Sequence, residues 1–428
     1  MDFNVKSYGA LGDGKTFDTQ AIQSAIDACT NAGGGRVVVA GGTYLTGTIV
    51  LKENVNLHIE ADGTLLASYS SEDFPEFPKK HVDVNQLPRF QGAAMIFAEE
   101  CANISITGKG KIDANGYAFV EECAPYHSGW RYRRVNTATL PRVVFFTGCK
   151  NILVEDITMI NSPAGWTYWI HDCDFVHFDK IKILCSLEFP NNDGIHINSS
   201  RDVTVSNSFI STGDDSIIIR AANRSLAEPK ICERITITNC TLKSHTNAVR
   251  IGWIGDGTIR NCTLSNLCID ETRTGINITL PKYGGNMDQI LSYKVESGRP
   301  KPEGGDGMSD FGLQKTLIEN ISFSNITMNN IYLRPIHIQI CAGESTLCEG
   351  VRNLYFSNVF AETLSFPFIT GREDCFVKNI RFSNCDFRKV KPEKLDYYFE
   401  PLLKKIQPLL IQYAENVAFD NTTFSSED

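Results

Sequence analysis

The chain has 428 residues, 42% of them hydrophobic and 21% charged, and carries a formal net charge of −9 at pH 7. Such a composition belongs to a folded globular protein with ample material for a core, and the negative balance disfavours a nucleic-acid or anionic-membrane partner. No apolar run reaches the roughly 18 residues of a membrane span. The opening Met1-Asp-Phe-Asn-Val-Lys lacks the charged-then-apolar layout of a secretory leader.

The 14 cysteines fall singly, with no CxxC pair and no metal-like spacing. Several follow a polar residue, as in Asn239-Cys240, Asn261-Cys262, Asn384-Cys385 and Asp172-Cys173. Small apolar residues at equivalent positions account for them better than disulfides do. Reduced thiols without a leader read as a cytoplasmic chain, or as a secreted or periplasmic one if a leader has been trimmed.

In chain order, the first predicted element is a helix over residues 18–32, with Asp18 or Thr19 as N-cap and Ile22, Ala25, Ile26 and Cys29 on one face, ending at Gly33–Gly35. Residues 69–92 and 115–142 are long interruptions rich in Gly, Pro, aromatics and charge. The second holds "YHSGWRYRR" (126–134), where Trp130 and Arg131 are of the types that stack on sugars and pair with carboxylates. Strand-like phrases follow one another: "ISITGKG" (104–110), "ILVEDIT" (152–158), "VTVSN" (203–207), "ITITN" (235–239) and "GTIRN" (257–261). After a third interruption at 281–316 come "ISFSN" (321–325), "LYFSN" (354–358), "IRFSN" (380–384) and "VAFDN" (417–421). A helical insertion is predicted over 388–413.

Period-2 strands repeating on this scale, with no room for crossover helices, predict an all-β solenoid: a parallel β-helix forming one domain over 1–428. The N-terminal helix would cap its open end. The three long interruptions would wall a groove.

Two Gly-flanked carboxylate clusters then stand out, "NNDG" with Asp193 and "GDD" with Asp214 and Asp215. If a coil takes about 22 residues, Asp193 and Asp214 occupy nearly the same place on successive coils. Carboxylates so close repel, and at least one should hold its proton. Folding gains little from that crowding, whereas acid–base chemistry uses it. Neighbours on a strand point to opposite faces, so Asp214 and Asp215 share a groove only if Gly213-Asp214 turns or bulges. Calcium binding, as in a lyase with Arg220 or Arg250 as base, is the competing chemical reading.

The run "NSPAGWTYWIHDCDFVHFDKIKI…NNDGIHINSSRDVTVSNSFISTGDDSIII" resembles the core of glycoside hydrolase family 28, the polygalacturonase-like enzymes, and "YGALGDGKTFDTQAIQSAIDAC…GGRVVVAGGTYLTGTIVLKENVNLHIEADGTLLAS" resembles the start of pectin-active β-helix proteins. The resemblance implies a right-handed parallel β-helix and an inverting glycosidase acting on pectic poly- or oligosaccharide, exo-acting if the insertions block one end of the groove. No cofactor and no metal are expected, and the chain is expected to be a monomer or small homo-oligomer. Asp214 would be the general acid, with Asp193 and Asp215 opposite it, at a carboxyl-to-carboxyl separation of about 6.5–9.5 Å, holding and deprotonating a water.

The residues expected to line the substrate are Asn191, His196, Arg220, His245, Asn247, Arg250, Asn277, Trp130 and Arg131. Two departures from the family pattern are visible. Where a Gly-His-Gly is usual the chain reads "SHTNAVRIGW", with Asn247 at the histidine's place and His245 two residues early. Where an Arg-x-Lys usually grips the uronate carboxylate, Asn277 and Thr279 stand in "TRTGINITL". The other function class is a β-helix glycan-binding or tailspike-like protein without turnover.

Overall fold

A computed structural model describes residues 1–76, 79–84, 87, 92–126, 129–135, 142–163, 165–253, 255–280, 314–341, 347–394 and 408–427. As expected, the chain winds as a right-handed parallel β-helix; each coil carries three strand columns. On the first wall Val144, Tyr168, Ile195, Ile217, Val249, Ile276 and Ile336 lie in register on successive coils. On the second, Val205, Ile237, Leu264, Phe323, Phe356, Phe382 and Phe419 do the same. All but Phe419 of these fourteen are buried. Alternation decides which side chain enters: in Arg201–Ser206, Val203 and Val205 point inward while Thr204 does not. Each buried Ile or Val is worth about 1.5–3 kcal/mol of burial. The four phenylalanines stack face to face at centroid distances of 4.6, 4.8 and 4.9 Å, which is the strand-to-strand spacing itself.

The repeated asparagines are corner residues. Asn207, Asn239, Asn325 and Asn358 all hold φ near +54 to +55°, a left-handed conformation that Asn tolerates and most residues do not. Their amides also bond from coil to coil: Asn239 to Asn207, Asn266 to Asn239, Asn325 to Asn266 and Asn358 to Asn325, at 2.9–3.3 Å. The repeated phrase is two corners rather than one. Asn261 belongs to a second ladder with Asn320, Asn353, Asn379 and Asn416. The cysteines of the phrase follow these corners. All 14 are free thiols, and Cys149, Cys173, Cys240, Cys262 and Cys385 are buried in the core.

The helix Thr19–Asn31 covers the first coil and buries Ile22, Ala25, Ile26 and Cys29, the face read from the sequence. Asp18 is its N-cap residue but does not cap it by a side-chain bond. Its carboxylate instead accepts from the amides of Leu11 and Gly12, at 2.7 and 3.0 Å, tying down the preceding loop. Among the described residues no helix is long and apolar enough to cross a membrane.

Of the predicted loops, 115–142 contains an antiparallel hairpin, Val120–Tyr126 with Trp130–Arg134. Within 69–92, Val82 and Leu87 dock onto Ala94, Phe97, Phe145, Trp166 and Trp169. The third, 281–316, lies outside the described residues except for 314–316, and so does 395–407 of the predicted helical insertion. The flanks of that insertion are the strand Asp386–Lys389, a 3-10 turn at Pro392–Lys394 and the strand Leu410–Gln412.

Candidate active site

Ile195–Asn198 pairs with Ile217–Arg220, and that strand with Asn247–Ile251. The ladder continues past the strand ends through Gly194 N to Asp215 O (2.9 Å) and Ser216 N to Asn247 O (3.0 Å). Asp193 is therefore in step with Asp215, not with Asp214, and Asp215 with Asn247. Asp214 pairs off instead with Asn192, whose Oδ1 accepts from the amides of Gly213 (2.8 Å) and Asp214 (3.0 Å).

The chain bends at Gly213 and Asp214, and this turns both carboxylates to one side. Gly213 is obligatory here: a Cβ would stand 2.2 Å from the Phe189 carbonyl oxygen. One oxygen each from Asp193, Asp214 and Asp215 lies within 4.8 Å of the others, so the three carboxyl groups form one compact cluster. Such a cluster could hold a cation, although one oxygen of Asp193, one of Asp215 and both of Asp214 already meet protein donors.

Asp214 Oδ2 accepts from Asn191 N (3.2 Å) and Nδ2 (2.9 Å). Asp193 Oδ2 meets His196 Nε2 at 3.0 Å. Thr246 Oγ1 lies 2.8 Å from both Asp214 Oδ1 and Asp215 Oδ1. A hydroxyl has one proton to give, so both contacts are hydrogen bonds only when one of the two carboxyls is protonated. Asn247 Nδ2 also donates to Asp215 Oδ1. It heads a chain in which Asn277 Nδ2 donates to Asn247 (2.7 Å) and Thr279 Oγ1 to Asn277.

Asn247 and Asn277 thus orient Asp215, and Asn191 holds Asp214. His245 does not share the facing of Asn247, because the chain bends at His245 and Thr246 between two strands. Its imidazole meets the Leu187 carbonyl, and burial pushes its pKa down to about 4. Arg220 pairs bidentately with the buried Asp256 at 2.5 and 2.7 Å, so its charge is matched inside the wall. Trp130 is buried and donates its Nε1–H to Gly213 O at 2.6 Å, anchoring the hairpin on the catalytic bend. Arg131 pairs with Glu188 at 3.3 Å with its side chain mostly exposed.

Arg250 lies over Trp253 at 4.2 Å and donates to Thr279 O. Burial lowers its pKa, against the pull of Asp215 and Asp214. Two cations escaped the sequence reading. Arg273 feels Asp215 and Asp214 in the same way, with burial again lowering its pKa. Arg334, in register with Thr274 one coil on, is pushed down to about 10 by burial and by Arg273. Arg273 stands within the quoted "TRTGINITL" and Arg334 in "LRPIHI". Only the register between coils, Asn247 to Thr274 and Thr274 to Arg334, draws them together.

A parallel β-helix with an acidic cluster facing a cationic wall is the layout of a carbohydrate-processing solenoid. Residues 29–290 match the family described as glycosyl hydrolases family 28, and the chain belongs to that family. It is 29% identical over 326 residues to the exo-poly-alpha-D-galacturonosidase of Dickeya chrysanthemi, covering 67% of this chain and 54% of that protein. It is 26% identical over 390 residues to an exopolygalacturonase of Zea mays, covering 85% and 86%. The chain thus spans little more than half the length of the Dickeya relative. Among solved structures, a hyperthermoactive exopolygalacturonase from Thermotoga maritima superposes with a TM-score of 0.74 at 21% identity, covering 99% of this chain and 92% of that one. PfbA, a surface adhesin of Streptococcus pneumoniae, shares the fold at a TM-score of 0.59 and 16% identity, covering 100% and 92%.

Proposed function

We propose that the protein is an inverting glycoside hydrolase that removes uronate sugars from the end of a pectic poly- or oligosaccharide. The observation that carries the reading is the convergence of Asp193, Asp214 and Asp215 within 4.8 Å. In this reading Asp214 protonates the leaving glycosidic oxygen. Asp193 and Asp215, side by side on neighbouring coils, seat and deprotonate one water. The protonated member that Thr246 requires is then Asp214, which donates to the Thr246 hydroxyl while that hydroxyl donates its hydrogen bond to the ionised Asp215.

Two features narrow the substrate. Arg250, Arg273 and Arg334 crowd the wall beyond the aspartates, and a uronate carboxylate would relieve their mutual repulsion. On the other side, Phe97, Phe145 and Trp169 occupy outward positions of the groove wall yet are at most 2% exposed, because Val82 and Leu87 cover them. A chain-end site needs a groove closed on one side close to the acids, and this plug lies one coil before Asp193. The relatives' names, galacturonosidase and exopolygalacturonase, accord with both features.

The test is sugar release from a panel of pectic polysaccharides and oligosaccharides by the native protein and by Asp214→Asn. Loss of a general acid should lower turnover by about 10²–10⁴-fold with an unchanged thermal midpoint. Unchanged turnover in the variant would overturn the assignment.

A further inference from the structure

We propose that His196 is a positioning residue for Asp193, held in place by a buried stack of Trp166 and Arg142. The inference rests on the reading of Asp193 as a water-activating base. The imidazole of His196 lies against the indole of Trp166 at a ring distance of 3.7 Å and an angle of 14°. On Trp166 the guanidinium of Arg142 sits 3.7 Å from the ring centroid, and 4.8 Å from that of Trp169. Arg142 is 0%, Trp166 6% and His196 3% exposed, so nearly all of the stack's surface is covered by protein. The sequence reading had placed His196 at the sugar.

Packing alone does not call for this arrangement. A core position takes a neutral apolar side chain at far lower cost than a guanidinium removed from water. Trp166 moreover holds φ at +38°, a left-handed conformation that is a genuine outlier for a bulky side chain. The backbone fixes it there: Trp166 N donates to Asn191 O (3.1 Å) and Thr167 N to Asp193 O (2.8 Å).

The consequence is geometric. A near-parallel indole removes the imidazole's freedom to swing about its second side-chain torsion. Nε2 is then aimed at Asp193 Oδ2, 3.0 Å away. An ionised carboxylate only accepts, so Nε2 carries the proton of this bond. One oxygen of Asp193 is thereby pinned, and with it the plane of the carboxylate that faces the water.

The variants are His196→Leu, His196→Gln, whose amide reaches a similar point with an N–H, and Trp166→Phe, which keeps a ring in the cluster. His196→Leu should lower kcat by about 10²-fold, the cost of a misplaced reacting group, with KM changed less than about threefold, since His196 does not touch sugar. The acid limb of the kcat/KM profile should move to higher pH, because a lost donor no longer favours the ionised base. Asp214, Asp215, Arg250 and Arg273 are untouched in all three variants. His196→Gln should recover most of kcat and return the acid limb, which a merely structural role would not predict. Trp166→Phe should show a smaller loss in the same direction. A folded His196→Leu with native kcat and an unmoved acid limb, or a loss confined to KM, would overturn the proposal.

The proton resonance of His196 Nε2–H gives a readout that needs no turnover. It should be slowly exchanging and downfield in the native protein and lost or averaged in Trp166→Phe. A protein without hydrolytic activity would sink the proposed function, while this resonance would still decide the positioning.

Discussion

Thr246 sits 2.8 Å from two different carboxylates, and so couples the proton of Asp214 to the charge of Asp215. Replacing it by Val, of similar shape and without a hydroxyl, should lower kcat by about tenfold or more and leave KM near native. Steady-state kinetics on a uronate oligosaccharide check this, and a native kcat would remove Thr246 from the proton path. Arg273→Gln should act on the other parameter. Losing a half-buried cation that meets a carboxylate should raise KM on uronate oligosaccharides by about tenfold or more, and an unchanged KM would place the uronate elsewhere. The histidines give a pH prediction. Burial holds His171 and His245 down to about 4 and His337 to about 3, against about 6.5 in the unfolded chain. Between those values the unfolded chain binds more protons, so stability falls as pH drops from about 6.5 toward 4. His81 runs the other way: its bond to Asp172 raises its pKa, so its contribution is present below about pH 6.5 and lost as pH rises through the folded value. Imidazole NMR should show His171, His245 and His337 silent between pH 7 and 5, and His81 titrating above its usual value. Titration of the three near pH 6.5 would contradict the buried geometry.

At the scale of elements, the corner asparagines combine a left-handed φ with an amide ladder. Asn325 donates to Asn266 and accepts from Asn358, at 3.1 and 2.9 Å. Asn325→Ala forfeits both bonds and strains the corner, for a loss of about 2 kcal/mol in denaturant unfolding. Asn325→Gly restores the backbone freedom and should cost clearly less, so equal losses would show that φ does not matter there. That the phrase ending in Asn marks a strand followed by a corner was legible from period-2 alternation. That it marks two different corners was not, because Asn261 and Asn266, five residues apart, serve separate ladders in the same residue type. The hairpin Val120–Tyr126 with Trp130–Arg134 was likewise hidden. It lacks the apolar alternation of the coils because most of its side chains do not enter the core. The plug formed by Val82 and Leu87 carries the exo assignment. Replacing both by Ser should uncover the aromatic wall and shift early products from single sugars to mixed oligosaccharides, read by chromatography.

For the molecule as a whole, the solenoid followed from repetition, the capping helix from its apolar face, and the three aspartates from their glycines. The register between coils did not follow from counting, because coil lengths vary: Ile195 to Ile217 is one turn, and so is Ile217 to Val249. One residue of slip moved the partner of Asp193 from Asp214 to Asp215. The same uncertainty hid Arg273 and Arg334, whose place beside the acids depends on which residues stack across coils of unequal length. The fold does not settle function by itself, since an adhesin shares it; the acids, their donors and the cationic wall carry the argument. The most direct measurement is a proton NMR time course of an oligogalacturonate incubated with the native protein and with Asp214→Asn. The account predicts single uronate sugars as the first product, appearing in the anomeric form opposite to the linkage, and none from the variant. Glycan binding without new reducing ends, or an unsaturated product absorbing in the ultraviolet, would contradict it.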